Sequence, residues 1–251
     1  MLMHPKFQAG QYRAVADDLL EGPAKERRKY IASLVGALSF LGRLEEATTI
    51  YELEATRTKD QVDPVAARFF LGVGLTRRSE YARAQKFFEE NKARAGKAPL
   101  ARFFVHQGEV FFHFYTGKLA LSLKAAELSR KAAILAEDLF ARTLATDSLG
   151  HGQVRLGQIN QGLVTLAEAQ RLAKRIGNKS MAAAIEISRD LYACEYGIEA
   201  DPVGRLTSLW EASGPENNYS QANVGLELAR QLTLHGKFLK AQSILETVAP
   251  L

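Results

Sequence analysis

The sequence predicts an all-α fold, a solenoid of about six antiparallel helix pairs forming one domain over residues 1–251. Three observations predict it. A short phrase recurs at regular intervals, the flanks of each copy carry apolar residues at helical spacing, and no segment keeps up the alternation of a strand. The phrase reads glycine, any residue, an apolar residue, two variable residues and a small one. Its copies start at positions 10, 42, 79, 117, 157, 197 and 236, at intervals of 32, 37, 38, 40, 40 and 39. A regular period of that size marks stacked helical hairpins.

The clearest copies are Gly42-Arg43-Leu44-Glu45-Glu46-Ala47 and Gly236-Lys237-Phe238-Leu239-Lys240-Ala241. In Ser79-Glu80-Tyr81-Ala82-Arg83-Ala84, serine stands in for glycine. Looser copies start at Gly10, Gly117 and Gly157, and Gly197 keeps the position without the phrase. Glycine ends a helix because it enters the left-handed conformation at the position after the last turn. The apolar residue begins the buried face of the next helix, and the small residue lets the two helices approach. Ile31, Leu34, Val35 and Leu38 precede Gly42, and Leu44, Ala47, Ile50, Tyr51 and Leu53 follow it. Leu71, Gly72 and Leu75 precede Ser79, followed by Tyr81, Ala84, Phe87 and Phe88. Leu228, Ala229 and Leu232 precede Gly236, followed by Phe238, Ala241, Ile244, Leu245 and Val248. Asp63-Pro64 and Asp201-Pro202 read as N-caps followed by proline at the first helical position. Pro23, Pro99 and Pro215 also fall between units.

The set Leu71, Gly72, Leu75, Tyr81, Ala84 and Phe88 resembles the unit of the tetratricopeptide-repeat superfamily, as does Leu228, Ala229, Leu232, Gly236, Phe238, Ala241 and Leu245. Leu149, Gly150, Gly157, Ile159, Leu166 and Ala169 follow the same order more loosely. The resemblance runs from about Gly10 to Leu251 and implies a right-handed superhelix whose first helices line a concave binding surface. Two features depart from the family. The period drifts to 40, and no first helix carries the signature tryptophan, since Trp210 falls in a second helix. Longer units of this kind resemble the helical sensor and scaffold domains of bacterial signalling proteins and transcriptional regulators.

Composition narrows the function classes. Hydrophobic residues make up 47% of the chain and charged residues 24%, which excludes a disordered chain. The formal net charge of +5 is spread along the sequence, with local clusters at Lys25, Arg27, Arg28 and Lys29 and at Arg77 and Arg78. It fits an acidic partner without implying direct contact with nucleic acid. A lone cysteine, Cys194, leaves no intramolecular disulfide. The N-terminus lacks the pattern of a secretory signal, and no apolar run approaches the ~18 residues of a membrane span. A cytoplasmic protein is expected.

Residues Ala101 to Tyr115 hold Phe103, Phe104, Phe111, Phe112, Phe114 and Tyr115, either a groove lining or a helix buried on both sides. Within them His106, Glu109 and His113 share one helical face, where His and Glu side chains can ligate zinc or iron. No second helix offers a matching pair, so no metal and no cofactor are expected. Asp147 and His151 lie one turn apart, the spacing of an acid–base dyad and also of an ordinary surface pair. Neither a nucleophile elbow nor a dinucleotide loop accompanies them, and an enzyme is not expected.

The reading is therefore a protein- or peptide-binding scaffold, with a sensory or regulatory segment of a signalling protein as the alternative. If the first helices line the binding face, Lys29, Phe69, Val73, Arg77, His106, Glu109, His113, Asp147, His151 and Arg230 emerge on it, with Leu226 and Thr233 beside Arg230. The partner expected is an apolar segment bearing acidic groups, docked between Phe69 and His113. Neither end has an obvious polar capping helix, which points to a longer protein or to self-association through the ends.

Overall fold

The computed structural model describes residues 3–54, 62–212 and 218–249. Among the described residues every regular element is helical. The chain divides into two compact units, Met1–Met181 and Ala182–Leu251. In the first, two short helices, α1 (Pro5–Gln8) and α2 (Tyr12–Glu21), are followed by α3 (Ala24–Lys29). Then come hairpins α4 (Ile31–Phe40) with α5 (Leu44–Glu54), α6 (Val62–Arg77) with α7 (Tyr81–Arg94), α8 (Pro99–Tyr115) with α9 (Leu119–Leu135), and α10 (Leu139–Arg155) with α11 (Ile159–Arg175). The boundary between units falls in the first turn of α12 (Lys179–Glu195), which is followed by α13 (Pro202–Ala212), α14 (Asn218–Leu234) and α15 (Phe238–Val248). No helix of the described residues is long and apolar enough to cross a membrane.

Every turn anchor read from the sequence closes a helix in the left-handed conformation: Gly10, Gly42, Gly117, Gly157, Gly197 and Gly236, and Ser79 at φ 62°. At Ser79 the amide donates to the Thr76 carbonyl (3.0 Å) and the Glu80 amide to the Leu75 carbonyl (2.9 Å), which satisfies the end of α6. A second series of left-handed residues, Gly96, Glu137 and Gly177, ends the second helices α7, α9 and α11 and carries no recurring phrase that would reveal it in the sequence. Ser79 and Glu137 hold a side chain where glycine is the relaxed choice. Replacing either with glycine is expected to stabilise the fold by about 0.5–1 kcal/mol, read as a higher denaturant midpoint.

Proline and aspartate fall near the predicted boundaries. α8 begins at Pro99, and Asp201 caps α13 by accepting from the Gly204 amide at 3.0 Å. At Asp63 the expectation needs correction, because α6 begins at Val62 and the aspartate sits inside its first turn. Pro215 lies outside the described residues.

The hairpins pack by the small-against-large logic of the repeat phrase. The Phe88 ring of α7 fits between Gly72 of α6 and Gly108 of α8; a β-carbon on these glycines would lie 2.4 and 2.6 Å from ring atoms. Two buried polar nodes cross-link helices where apolar packing alone is indifferent to register. Arg68 of α6 donates to the Tyr51 hydroxyl and to Asn91 Oδ1 (3.1 Å), and Asn91 donates to the Val65 carbonyl (2.8 Å). Gln107 of α8 donates to Ser148 of α10 and accepts from Ser129 of α9 at 2.7 Å. A buried amide left unpaired is costly, so such nodes favour one alignment of the helices.

The first unit closes on its own N-terminus. Phe7 of α1 is fully buried, and its ring lies 5.4 Å from Phe70, 5.8 Å from Phe140, 6.1 Å from Phe40 and 5.2 Å from Tyr12. Gly36 of α4 leaves the room, since a β-carbon there would lie 2.8 Å from Phe7. Three first helices, α4, α6 and α10, thus meet one ring. Gly10 reaches Asn178, ahead of α12, so closely that a β-carbon would lie 2.6 Å from its Oδ1.

In the second unit, Ile187, Leu191 and Cys194 of α12 pack with Leu206 and Trp210 of α13, with Val224, Leu228 and Leu232 of α14 and with Ala241 of α15. An ion pair between Arg205 and Asp190 ties α13 to α12.

Candidate functional site

The ten residues read as one face distribute over several separate settings. Phe69 and Val73 are only 1% and 2% exposed, which corrects their assignment to an open groove. Phe69 packs in tilted and edge-on contacts with Phe70, Phe104 and Phe111, with Phe103 and Phe104 equally buried, so of the two readings of this aromatic segment the buried helix holds for Phe103 and Phe104. The cause is the closure just described. The N-terminal turn seats Phe7 against Gly36 of α4 and Phe70 of α6, and Phe69 lies behind them among Phe70, Phe104 and Phe111. Arg77 and Lys29 do reach the surface. The Arg77 guanidinium lies 5.6 Å from the centre of the Phe40 ring, and Lys29 Nζ lies 4.7 Å from that of Tyr30 and 3.6 Å from Glu26.

On α8 the helical periodicity brings His106, Glu109 and His113 onto one half-buried stripe, as read. His106 Nδ1 lies 3.0 Å from Glu109 Oε2, and Lys92 of α7 reaches the other oxygen at 3.2 Å. The hydrogen bond to His106, with Lys92 beside it, holds the Glu109 carboxyl below its ordinary range. Burial lowers His113, keeping its imidazole neutral, and its Nδ1 has no hydrogen-bond partner. Glu109 is thus engaged by a histidine and a lysine, and among the described residues no group of three or more His, Cys, Asp or Glu side chains is arranged to hold a metal ion. Asp147 and His151 pair along α10 at 3.4 Å. Cys194 is buried, and that burial pushes its thiol up to about 12, so it is a protonated core residue rather than a nucleophile at neutral pH.

Arg230 is different. In the second unit, Leu226, Ala229, Arg230, Thr233 and Leu234 of α14 and Leu245 of α15 line an open groove of about 360 Å³. Leu226, Arg230 and Thr233 are the residues that helical rotation placed outward, and here the geometry brings them together. Leu226 is 51% exposed and Leu234 67%, with Phe238 and Leu239 exposed on α15. Arg230 is held by a two-pronged hydrogen bond to Glu227 (2.7 and 2.8 Å), so its charge is locally offset and the groove is predominantly apolar. Leu234 and Leu245 were missed as lining. Leu234 sits in the last turn of its helix, and Leu245 had been counted as core by periodicity alone.

Compared with known proteins, the chain matches no family model and no curated protein.

Proposed function

We propose that the chain is a binding scaffold of the tetratricopeptide-repeat kind, a right-handed superhelix of helical hairpins that captures an apolar segment of another protein. The observation that carries this reading is the α14–α15 groove. Hairpins of such arrays bury their apolar faces against neighbours or ligands. Here Leu226, Leu234 and Leu245 face solvent around a depression floored by Ala229. A small residue flanked by leucines suits a helical or extended segment offering one or two large apolar side chains. Arg230 and Thr233 at the rim supply polar contacts that fix its direction.

Photocrosslinkers placed at Leu234 and, as a control, at Arg13 test the reading in cells. A partner crosslinked only from Leu234 is then purified and titrated against the chain. Leu234→Asp and Leu245→Asp are each expected to weaken that binding by about tenfold or more, equivalent to ~1.4 kcal/mol, with the melt unchanged. Binding that ignores both substitutions refutes the groove as the site. Sedimentation across a concentration series reports whether a second copy occupies it instead.

A further inference from the structure

The first unit carries a second, unlike depression, which we infer to be a binding site for an oligophosphate group. Arg142 of α10 and Glu168, Arg171, Leu172 and Arg175 of α11 line an open pocket of about 370 Å³. Arg130 of α9 reaches the same carboxylate, donating from Nη2 to both oxygens of Glu168 at 3.0 and 3.1 Å, while Arg142 Nη2 reaches one oxygen at 3.4 Å. Two guanidinium groups thus share a single carboxylate while Arg171 and Arg175 line the pocket beside them, and the cluster of four arginines and one glutamate carries a net charge of +3. The Nε of Arg130 and that of Arg142 are both buried and have no hydrogen-bond acceptor.

Each feature points to an anion that the fold itself does not supply. Arginines are held together against their mutual repulsion with one carboxylate among them, which leaves an excess of positive charge at the pocket. One carboxylate more, as in an acidic side chain, would still leave the cluster at +2, counted from these same residues. A di- or triphosphate carries roughly three to four negative charges near neutral pH and presents several oxygens to planar guanidinium forks, which bind phosphate bidentately. Arg171 and Arg175 stand one turn apart on α11 and are exposed at the mouth of the pocket, with Arg171 Nε donating to the Ala167 carbonyl at 3.4 Å, while Leu172 gives an apolar wall beside it. The four positions come from three helices, so no contiguous motif announces them. Only Glu168, Arg171 and Arg175 share a helical face legible in the sequence.

Isothermal titration of the full chain with sodium tripolyphosphate, orthophosphate and ATP at constant ionic strength tests this. One site per chain is expected for tripolyphosphate, with orthophosphate at least about tenfold weaker because it spans fewer guanidinium groups. Arg171→Glu and Arg175→Glu are each expected to weaken tripolyphosphate by about tenfold, whereas the charge-matched Arg13→Glu changes it less than about twofold. Thermal melts verify that the variants remain folded. ATP binding like tripolyphosphate identifies the phosphate chain as the recognised group, and ATP binding more tightly identifies a nucleotide as its source; both support the site. Equal loss in Arg13→Glu, or equally tight binding of a short polyglutamate peptide, overturns it. This outcome is independent of the α14–α15 groove, whose substitutions lie in the other unit.

Discussion

Phe7→Ala is expected to destabilise the first unit by about 3–5 kcal/mol and to lower its melting temperature by roughly 10 °C. The ring is fully buried and touches aromatic side chains from α2, α4, α6 and α10, residues up to 133 positions away in sequence. Its removal leaves a cavity that no single neighbour can fill, since Gly36 has no side chain to move into it. Phe7→Leu retains most of the volume and is expected to cost less than about half as much. Lys6→Ala serves as the control next door. Its ion pair with Asp18 is about half exposed on both sides, and exposed pairs contribute little. Calorimetry that finds Phe7→Ala melting like the parent protein would show that the N-terminal turn does not belong to the core.

That contact also marks where the sequence stopped being legible. The left-handed requirement at a helix end is local, so one glycine every 32–40 residues was enough to find the turn at every anchor, and even Ser79 was recognised from its flanks. Hairpin partners followed from the apolar spacing, and Phe88 between Gly72 and Gly108 shows why glycines inside the helices accompany an aromatic in the next one. Curvature is another matter. It accumulates from small rotations between successive hairpins, none of which is written in a single residue. Hence nothing in the sequence showed that Phe7 would meet Phe140, or that Phe69 and Val73 would be covered. At Leu226, Arg230 and Thr233 the α14 surface stays open, as the helical spacing places it. The arginine pocket was invisible for the same reason as the curvature: Arg130, Arg142 and Arg171 become neighbours only after three helices have packed.

The buried Arg68 node yields the second large expectation. Arg68 is nearly inaccessible, its guanidinium lies 5.7 Å from the Tyr51 ring centre, and its hydrogen bonds go to Tyr51 and Asn91, with the Glu90 carboxylate 3.8 Å away. A cation in this setting is tolerated only while its donors are occupied. Asn91→Leu removes the acceptor for one nitrogen of a buried cation and the second donor to the Val65 carbonyl, which keeps its helical bond, so it is expected to cost about 3–4 kcal/mol. Tyr51→Phe deletes one acceptor and leaves Glu90 within reach of the same nitrogen, for about 1–2 kcal/mol. The informative variant is the double substitution Arg68→Met with Asn91→Leu. Replacing charge and partner together by apolar groups of similar volume leaves only the Tyr51 hydroxyl to be satisfied, since the Val65 carbonyl keeps its helical bond, so the double variant is expected to be more stable than Asn91→Leu alone. Urea denaturation of the four proteins closes the cycle. If the double variant instead loses the sum of the two single losses, Arg68 and Asn91 act independently, and the node contributes packing volume rather than a satisfied buried charge.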